Sequence, residues 1–385
     1  MSRLSARVNP EGLVACTLLA FLATAGIFYV NIMAALVDGL VTGLGFSNAE
    51  AGNVAAANVY GAAMGALVAV FIVRRIAWRP VACALLAILI AIDLSSMAIH
   101  AAQWLTAVRF MHGVAGGLLV GVGYSVMARL AVPDRAFGML LVVQYGLGGL
   151  GVMWLPRLVP HFGAPILFVA LATFSAVTAA MFPFLPDYPR RDSQRGLEGA
   201  GVRHPLMLVI AALASMFLFQ AANMGLGAYV LGLARHAGLA ASFASSAAGI
   251  GAWIGVLGAV LCVVLSTRAG RFWPLLVGMI ITLGGTWLFH HSDSKVVFAI
   301  ANGVTAAVWA FVVPYIFGMC ARLDRSGQVT VMGGFCSKMG LATGPLLAGR
   351  LLVHENYGLL INLTMAALLA CALIVLMAAR RVDRI

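Results

Sequence analysis

Long apolar runs, separated by short polar or glycine- and proline-rich clusters, make up most of the chain. A bilayer core requires about 20 apolar residues per helix, which is close to the length of these runs. No strand-like alternation is visible, and in lipid every backbone polar group must be bonded internally, so we expect helices. The predicted spans are residues 12–42, 47–73, 79–99, 103–128, 136–159, 163–185, 205–234, 241–266, 273–290, 295–321, 328–352 and 356–379.

Composition agrees with a protein that lies almost entirely in a membrane. Hydrophobic residues make up 63% of the 385 positions and charged residues 9%, whereas soluble domains carry about 25% charged residues. No separate soluble domain fits beside twelve spans, so the predicted fold class is an all-α membrane protein. The six cysteines occur singly in apolar runs and are interpreted as core residues. We expect no metal site, no disulfide and no cofactor.

The basic residues indicate how the chain is oriented. Arginines crowd the N-terminus, the C-terminus and alternate loops, and the opposite loops hold four cations, Arg157, Arg235, Lys295 and Arg350. The positive-inside rule therefore places both termini in the cytoplasm, which requires an even number of spans. The net charge of +12 is explained by topology. Nucleic-acid binding is not expected.

A polar stretch near the middle of the chain divides it into two halves. Arg75 and Arg268 lie about half the chain length apart, and Pro80 and Pro274 follow them at nearly the same offset. Internal repeats of this kind are typical of secondary transporters. We predict an N-terminal six-helix bundle over residues 1–186, a cytoplasmic linker over 187–204 and a C-terminal six-helix bundle over 205–385.

Short motifs in the fourth span and two loops resemble those of a known family. The segment from Arg109 to Gly117 reads RFMHGVAGG, which resembles the RFxxGxxxG pattern of the major facilitator superfamily. The loops at residues 74–80 and 267–272 are similar to its basic loop motif. The resemblance implies two pseudo-symmetric bundles and a role for Arg109 in proton coupling or substrate contact. The fifth span lacks the Gly-Pro signature of proton-coupled exporters, which favours uptake.

Ionisable residues inside spans are costly and are functional candidates by default. Asp93 and Arg109 lie at similar depths in adjacent antiparallel spans, so we expect that they can pair directly. Such a pair is either structural or a proton-coupling device. His112, one turn after Arg109, either relays protons or hydrogen-bonds a neighbouring helix. Asp38 is a further coupling candidate, because it lies near the interface or reaches Arg109.

Lys338 lies about ten residues into the eleventh span, and no acidic residue of that span can pair with it at helical spacing. A lysine this deep cannot easily extend to the interface. It faces either an aqueous cavity, which we favour, or a salt bridge to another helix. An anion held by Arg109 and Lys338 would engage both halves. Amides and aromatics complete the predicted substrate-binding set, each with helix packing as its alternative: Asn31, Tyr60, Tyr145, Gln220, Asn223, Trp253 and Trp309.

These features lead to one main functional hypothesis and two alternatives. The main hypothesis is a proton-coupled importer of a small organic anion, a carboxylate or aromatic acid, which works as a monomer in the bacterial inner membrane. Efflux of amphipathic compounds is the second, since methionines and aromatics form adaptable walls. A membrane-embedded enzyme is disfavoured, because no helix has a His/Asp or His/Glu cluster at catalytic spacing. The expected partners are an anionic small molecule, protons and the lipid bilayer.

Overall fold

A computed structural model describes residues 7–73, 75–130, 133–188, 206–265, 270–323 and 328–384. Within these ranges the regular structure is entirely helical, with no strand. The helices of the first half are α1 (Leu13–Ala25), α2 (Phe28–Asn31), α3 (Met33–Leu44), α4 (Asn48–Ile72), α5 (Trp78–Ser96), α6 (Ala102–Met127), α7 (Pro133–Phe162) and α8 (Pro165–Met181). Those of the second half are α9 (Leu206–Ala228), α10 (Val230–His236), α11 (Ala241–Leu265), α12 (Phe272–Leu288), α13 (Lys295–Leu323), α14 (Gln328–Leu351) and α15 (Tyr357–Val382).

The twelve predicted spans correspond to these helices. In the described ranges ten helices are long and apolar enough to cross a membrane. The other two spans are the first, which comprises α1, α2 and α3, and the eleventh, α14. Helix α14 contains Lys338, Arg350 and several glycines, so its mean hydropathy is low. It packs against α4 and α9 rather than facing lipid all round, which explains why a polar helix is tolerated here.

The first span was predicted as one helix, and the structure corrects this. The helical geometry is interrupted at Gly26–Ile27 and again at Ile32. A side chain at Gly26 would overlap the carbonyl oxygen of Gly116 on α6, so glycine permits the close contact of the two helices. The interruption lies beside polar side chains, because Tyr29 and Asn31 belong to the short α2 between the breaks.

The seventh span is likewise interrupted, at Tyr229 between α9 and α10. The Tyr229 hydroxyl donates hydrogen bonds to the carbonyl oxygens of Asn48, at 2.7 Å, and Pro345, at 3.3 Å. Asn48 begins α4 and Pro345 lies in α14, so the break places one side chain where three helices meet. This junction connects the two halves of the molecule.

The helices form two six-helix bundles with matching internal contacts. In the first bundle α4 packs on α6 and α5 on α8. In the second, α11 packs on α13 and α12 on α15, which are the equivalent pairs half a chain later. The bundles contact each other through α4 with α14 and through α7 with α11. The two bundles are therefore pseudo-symmetric.

Contacts between the bundles are concentrated at the end of the molecule where α3 ends and α4 begins, which we call the closed end. One hydrophobic core fills the first bundle and continues there into residues 226–247, 289–301 and 341–361 of the second. A separate core fills the rest of the second bundle. Arg157 near the end of α7 donates to the Ser242 carbonyl at 2.8 Å and also bonds the Ser246 hydroxyl at the start of α11.

The predicted linker begins at a well-connected segment. Asp187 forms ion pairs with Arg7 and Arg79. Arg79 also donates to the carbonyl oxygen of Leu185 at 2.7 Å, and Arg129 to that of Tyr188 at 2.7 Å. Burial raises the pKa of the Tyr188 hydroxyl above its ordinary value. Residues 189–204 of the predicted linker lie outside the described ranges.

The cysteines are only partly the core residues that were expected. Cys16, Cys320 and Cys371 are buried, whereas Cys83 is exposed on α5. In a membrane protein the outer face of a peripheral helix contacts lipid, so an apolar run does not distinguish core from lipid-facing positions.

Candidate functional site

A fully buried ion pair occupies the interior of the first bundle. Arg109 on α6 donates from Nη1 to Asp93 Oδ1 on α5 at 2.8 Å, and neither side chain has exposed surface. Arg109 Nη2 also donates to the hydroxyl of Ser96 at 2.7 Å. The direct pairing expected from their depths is therefore confirmed, and Ser96 completes it. Partners of this kind are what make a buried charge tolerable.

His112 and Asn58 extend the buried ion pair into a four-residue cluster. Asn58 on α4 donates from Nδ2 to the Arg109 carbonyl at 3.1 Å and contacts His112 Nδ1 at 2.8 Å. Because an amide nitrogen can only donate, His112 Nδ1 accepts, and the proton of a neutral ring lies on Nε2. His112 Nε2 is 3.3 Å from Asp93 Oδ1. Asp93 Oδ1 thus contacts both the guanidinium of Arg109 and the imidazole of His112.

The cluster also has unsatisfied polar atoms and an aromatic boundary. Asp93 Oδ2, Arg109 Nε and the Tyr29 hydroxyl are buried without hydrogen-bond partners among the described residues. The Arg109 guanidinium lies 6.0 Å from the Tyr29 ring and 5.1 Å from the Phe168 ring. The guanidinium lies over these two rings, and the electron-rich ring faces stabilise its positive charge. Tyr29 belongs to α2, so the interrupted first span contributes directly to this cluster.

Arg109 is enclosed rather than placed in an open cavity. The prediction that it contacts substrate required a path for a solute, and in this conformation its side chain has no exposed surface. The joint engagement of an anion by Arg109 and Lys338 is therefore not possible in this conformation. The physical reason is the compensating Asp93, which allows the cation to be buried inside one bundle.

Lys338 lines a cavity between the bundles. The cavity has a volume of about 300 Å³ and is bounded by α4 and α6 of the first bundle and α14 of the second. Among the described residues no carboxylate lies within salt-bridge distance of Lys338. Its neighbours in the wall include Leu67, Val70, Tyr124 and Phe335. Of the two placements considered for Lys338, the structure shows the cavity.

A chain of polar and aromatic contacts connects four helices near the middle of the molecule. Trp309 on α13 donates to Gln220 Oε1 at 2.7 Å, and Gln220 donates to the Ser337 hydroxyl at 2.7 Å. Ser337 directly precedes Lys338. The ring of Tyr145 on α7 meets Trp309 edge to face at 6.4 Å, so the contacts reach the first bundle. Gln220 is buried, and both ends of its amide are used within the protein.

The remaining predicted binding residues are spread over the interface. Tyr60 on α4 hydrogen-bonds Thr343 on α14 at 2.8 Å, and Trp253 on α11 donates to the Gly146 carbonyl at 3.1 Å. Both contacts join the two bundles. Asn223 donates to the Phe219 carbonyl of its own helix at 2.8 Å. Asn31 is partly buried, and its Nδ2 has no partner among the described residues.

Asp38 belongs to the closed end. It accepts a hydrogen bond from Arg235 on α10 at 2.6 Å, so its partner is Arg235 and not Arg109. Asp38 is almost buried and Arg235 is half exposed. This ion pair joins α3 of the first bundle to α10 of the second, which was not anticipated from sequence because the two residues lie in opposite halves.

Several residues at these sites escaped the sequence analysis. Four of them are uncharged polar residues in apolar runs, which cost less in lipid than ionisable residues and therefore stand out less in the sequence: Asn58, Ser96, Ser337 and Thr343. The available signal for Asn58 was an asparagine about ten residues into the second span, because a buried amide in lipid requires a partner. Which charge it contacts depends on helix packing.

The family model of the Major Facilitator Superfamily matches residues 14–291, more than half of the chain. The chain belongs to the major facilitator superfamily. The match covers nearly all of the first bundle and continues into the second. No curated protein sequence matches the chain.

Solved superfamily structures share the fold over nearly the full length. The nucleoside transporter NupG has a TM-score of 0.72 at 14% identity, covering 95% of this chain and 98% of that one. A mutant of the same transporter reaches a TM-score of 0.75. A D-xylose-proton symporter has a TM-score of 0.71 at 13% identity, covering 94% of this chain and 96% of that one. The chain is therefore a transporter by family and fold.

Proposed function

We propose that this superfamily member is a proton-coupled uptake carrier for a small organic anion, a carboxylate or aromatic acid, working by alternating access. The observation that carries the proposal is Lys338, a lysine without an acidic partner among the described residues, in a cavity walled by both bundles. A cation in such a site attracts an anion strongly, because hydrogen bonds to charged groups strengthen away from water. An anion there would contact both bundles at once.

The proposed coupling site is the buried cluster of Asp93, Arg109, His112 and Asn58. Asp93 carries the negative charge that compensates Arg109, so adding a proton to Asp93 would weaken the pair and leave Arg109 free to change partners. Asp93 Oδ2 has no bound donor, and His112 Nε2 already faces the other oxygen. Arg109 is accordingly proposed as a coupling residue, and Lys338 as the residue that binds the anion. Asp38 pairs with Arg235 at the closed end, outside this cluster.

The arrangement of the bundles fits an inward-facing state. With both termini in the cytoplasm, the closed end lies at the outer surface, and the Lys338 cavity lies on the cytoplasmic side of the bundle contacts. We assign the bacterial inner membrane, a monomeric state, and bundle boundaries at 1–186 and 205–385. One of the fold neighbours is, as its name says, a proton symporter, the D-xylose-proton symporter.

Proteoliposome uptake tests this proposal. Purified protein is reconstituted and given an inward proton gradient with radiolabelled carboxylates, among them lactate, succinate and benzoate. We expect accumulation that collapses with a protonophore and is lost in Lys338→Gln. Lys295→Gln is the matched control, because Lys295 is exposed at the start of α13. Uptake that is equal in Lys338→Gln and wild type would exclude Lys338 from the site.

Efflux of amphipathic compounds is the second candidate, and the apolar wall of the cavity favours it. Most lining side chains are alanine, valine, leucine or phenylalanine. Inside-out vesicles distinguish the two, since an exporter would move dyes into the lumen against the gradient. Gradient-driven transport of lipophilic cations into the vesicles, with no transport of carboxylates, would support efflux.

A further inference from the structure

We infer that the Lys338 cavity selects amphipathic monoanions: molecules with a single acidic group and a compact apolar body. The inference rests on the proposed function and narrows it, because it separates such acids from dicarboxylates and from hydroxylated acids. It follows from what the cavity wall offers and from what it lacks.

The first argument is the number of charges. Among the residues that line the cavity, Lys338 is the single basic side chain, and none is a carboxylate. One ammonium group can compensate one carboxylate. A second carboxylate on the same ligand would be removed from water without a partner, which is costly in an apolar environment. A monoanion is therefore favoured over a dianion of similar shape.

The second argument is the chemistry of the rest of the wall. Apart from Lys338, the side chains are apolar except for the Tyr124 hydroxyl. Leu67, Val70, Val331 and Phe335 present aliphatic and aromatic surface to the space. A sugar acid would leave several hydroxyl groups unbonded there, whereas a ring or short alkyl chain loses nothing on leaving water.

The third argument is size and position. At about 300 Å³ the cavity is at the small end of ligand pockets, which suits a ligand of one ring and a short side arm. The wall combines α4 and α6 of the first bundle with α14 of the second. An apolar body therefore contacts the first bundle while its acid group binds Lys338 of the second.

Four matched probes test this selectivity by thermal shift and isothermal titration on the full-length protein in detergent. They are 3-phenylpropanoate, its neutral amide 3-phenylpropanamide, phenylsuccinate, which adds a second carboxylate, and propanoate, which lacks the ring. We expect 3-phenylpropanoate to bind best, with each of the others weaker by about tenfold or more. In Lys338→Gln the acid should bind no better than the amide. Lys338→Arg should retain the preference, and Lys295→Gln should behave as wild type.

The outcomes separate this inference from the proposed function. Tighter binding of phenylsuccinate or propanoate, lost in Lys338→Gln, would overturn the inference and leave the anion carrier intact. Equal binding of acid and amide, unchanged in Lys338→Gln, would overturn both. If none of the four probes binds, the inference is wrong, and the uptake assay with other carboxylates decides the proposed function separately.

Discussion

Arg109 holds a full positive charge with no exposed surface, so its stability depends on the side chains around it. Asp93 neutralises the charge, Ser96 accepts one hydrogen bond, and Phe168 lies against the guanidinium. Removal of one partner of such a pair leaves an uncompensated buried charge, whereas removal of both does not. Double neutralisation should therefore cost much less stability than either single neutralisation.

We predict that Arg109→Gln and Asp93→Asn each destabilise the protein by about 3–5 kcal/mol, and that the double variant recovers most of the loss. Melting temperatures in detergent measure this. If the pair couples protons, the folded double variant will still exchange substrate in counterflow but will not accumulate it against a gradient. Gradient-driven accumulation by the double variant would show that the pair is structural.

Gln220 is predicted to stabilise the second bundle rather than to bind substrate directly, because both ends of its amide already have buried partners, Trp309 and Ser337. Gln220→Leu should lower the free energy of unfolding by about 1–3 kcal/mol, since the Trp309 indole and the Ser337 hydroxyl lose a partner. The test is the melting temperature together with the binding affinity of the surviving folded protein. A large affinity loss at unchanged stability would instead place Gln220 at the ligand.

At the scale of elements, the contact of α4 with α6 determines where the charged cluster forms. Side chains added at Gly61 and Gly65 of α4, or at Gly113 and Gly117 of α6, would overlap backbone carbonyls of the other helix. Both helices thus carry the small-xxx-small spacing that allows close approach in membranes. The approach brings Asn58 within hydrogen-bonding distance of His112.

Gly113→Ala should therefore separate α4 from α6 and disturb the cluster, because its new methyl group would overlap the Asn58 carbonyl oxygen. We expect a destabilisation of about 1–3 kcal/mol and impaired coupling. Gly138→Ala on α7 is the matched control, since nothing lies within 4 Å of a methyl group added there. Equal melting temperatures for the two variants would contradict this account of the helix contact.

At the scale of the whole molecule, the two bundles meet at the closed end through the Asp38–Arg235 ion pair, the Tyr229 hydrogen bonds and Arg157. Transport by alternating access requires that these contacts break in each cycle. A ligand or mutation shifts such an equilibrium only by its different free energy in the two states. The contacts at the closed end are candidates for setting that difference.

Arg235→Gln should shift the population toward a state that is open at this end. Without Arg235 the Asp38 carboxylate has lost its ion-pair partner in the closed state, whereas in the open state water solvates it. A partly exposed pair contributes about 1 kcal/mol, which corresponds to several-fold in population. Spin labels at His161 and Asp293, in a cysteine-free background, report the distance between the bundles by pulsed electron resonance. Arg350→Gln serves as control, and the charge exchange Asp38→Arg with Arg235→Asp should restore the closed distance.

The sequence predicted element positions well because lipid imposes a strict rule on composition. Ten of the twelve spans are long and apolar enough to be found by little more than counting apolar residues, and the matched loops indicated two halves. The interruption of the first span was not predicted, since the close contact that Gly26 permits at the break is with Gly116, a residue 90 positions later in the chain. Equally, α14 was recognised as a span although its polar residues make it the least typical one.

By itself, the sequence determined that this protein lies in a membrane, that it has twelve spans in two halves, and that Asp93, Arg109 and Lys338 require special environments. These conclusions follow from local composition and from the cost of charge in lipid. Only the tertiary structure decided that Arg109 is enclosed with Asp93, that Lys338 faces a cavity, and that Asp38 pairs with Arg235. Those choices depend on which helix faces meet, and the meeting is governed by small-residue contacts between helices distant in sequence.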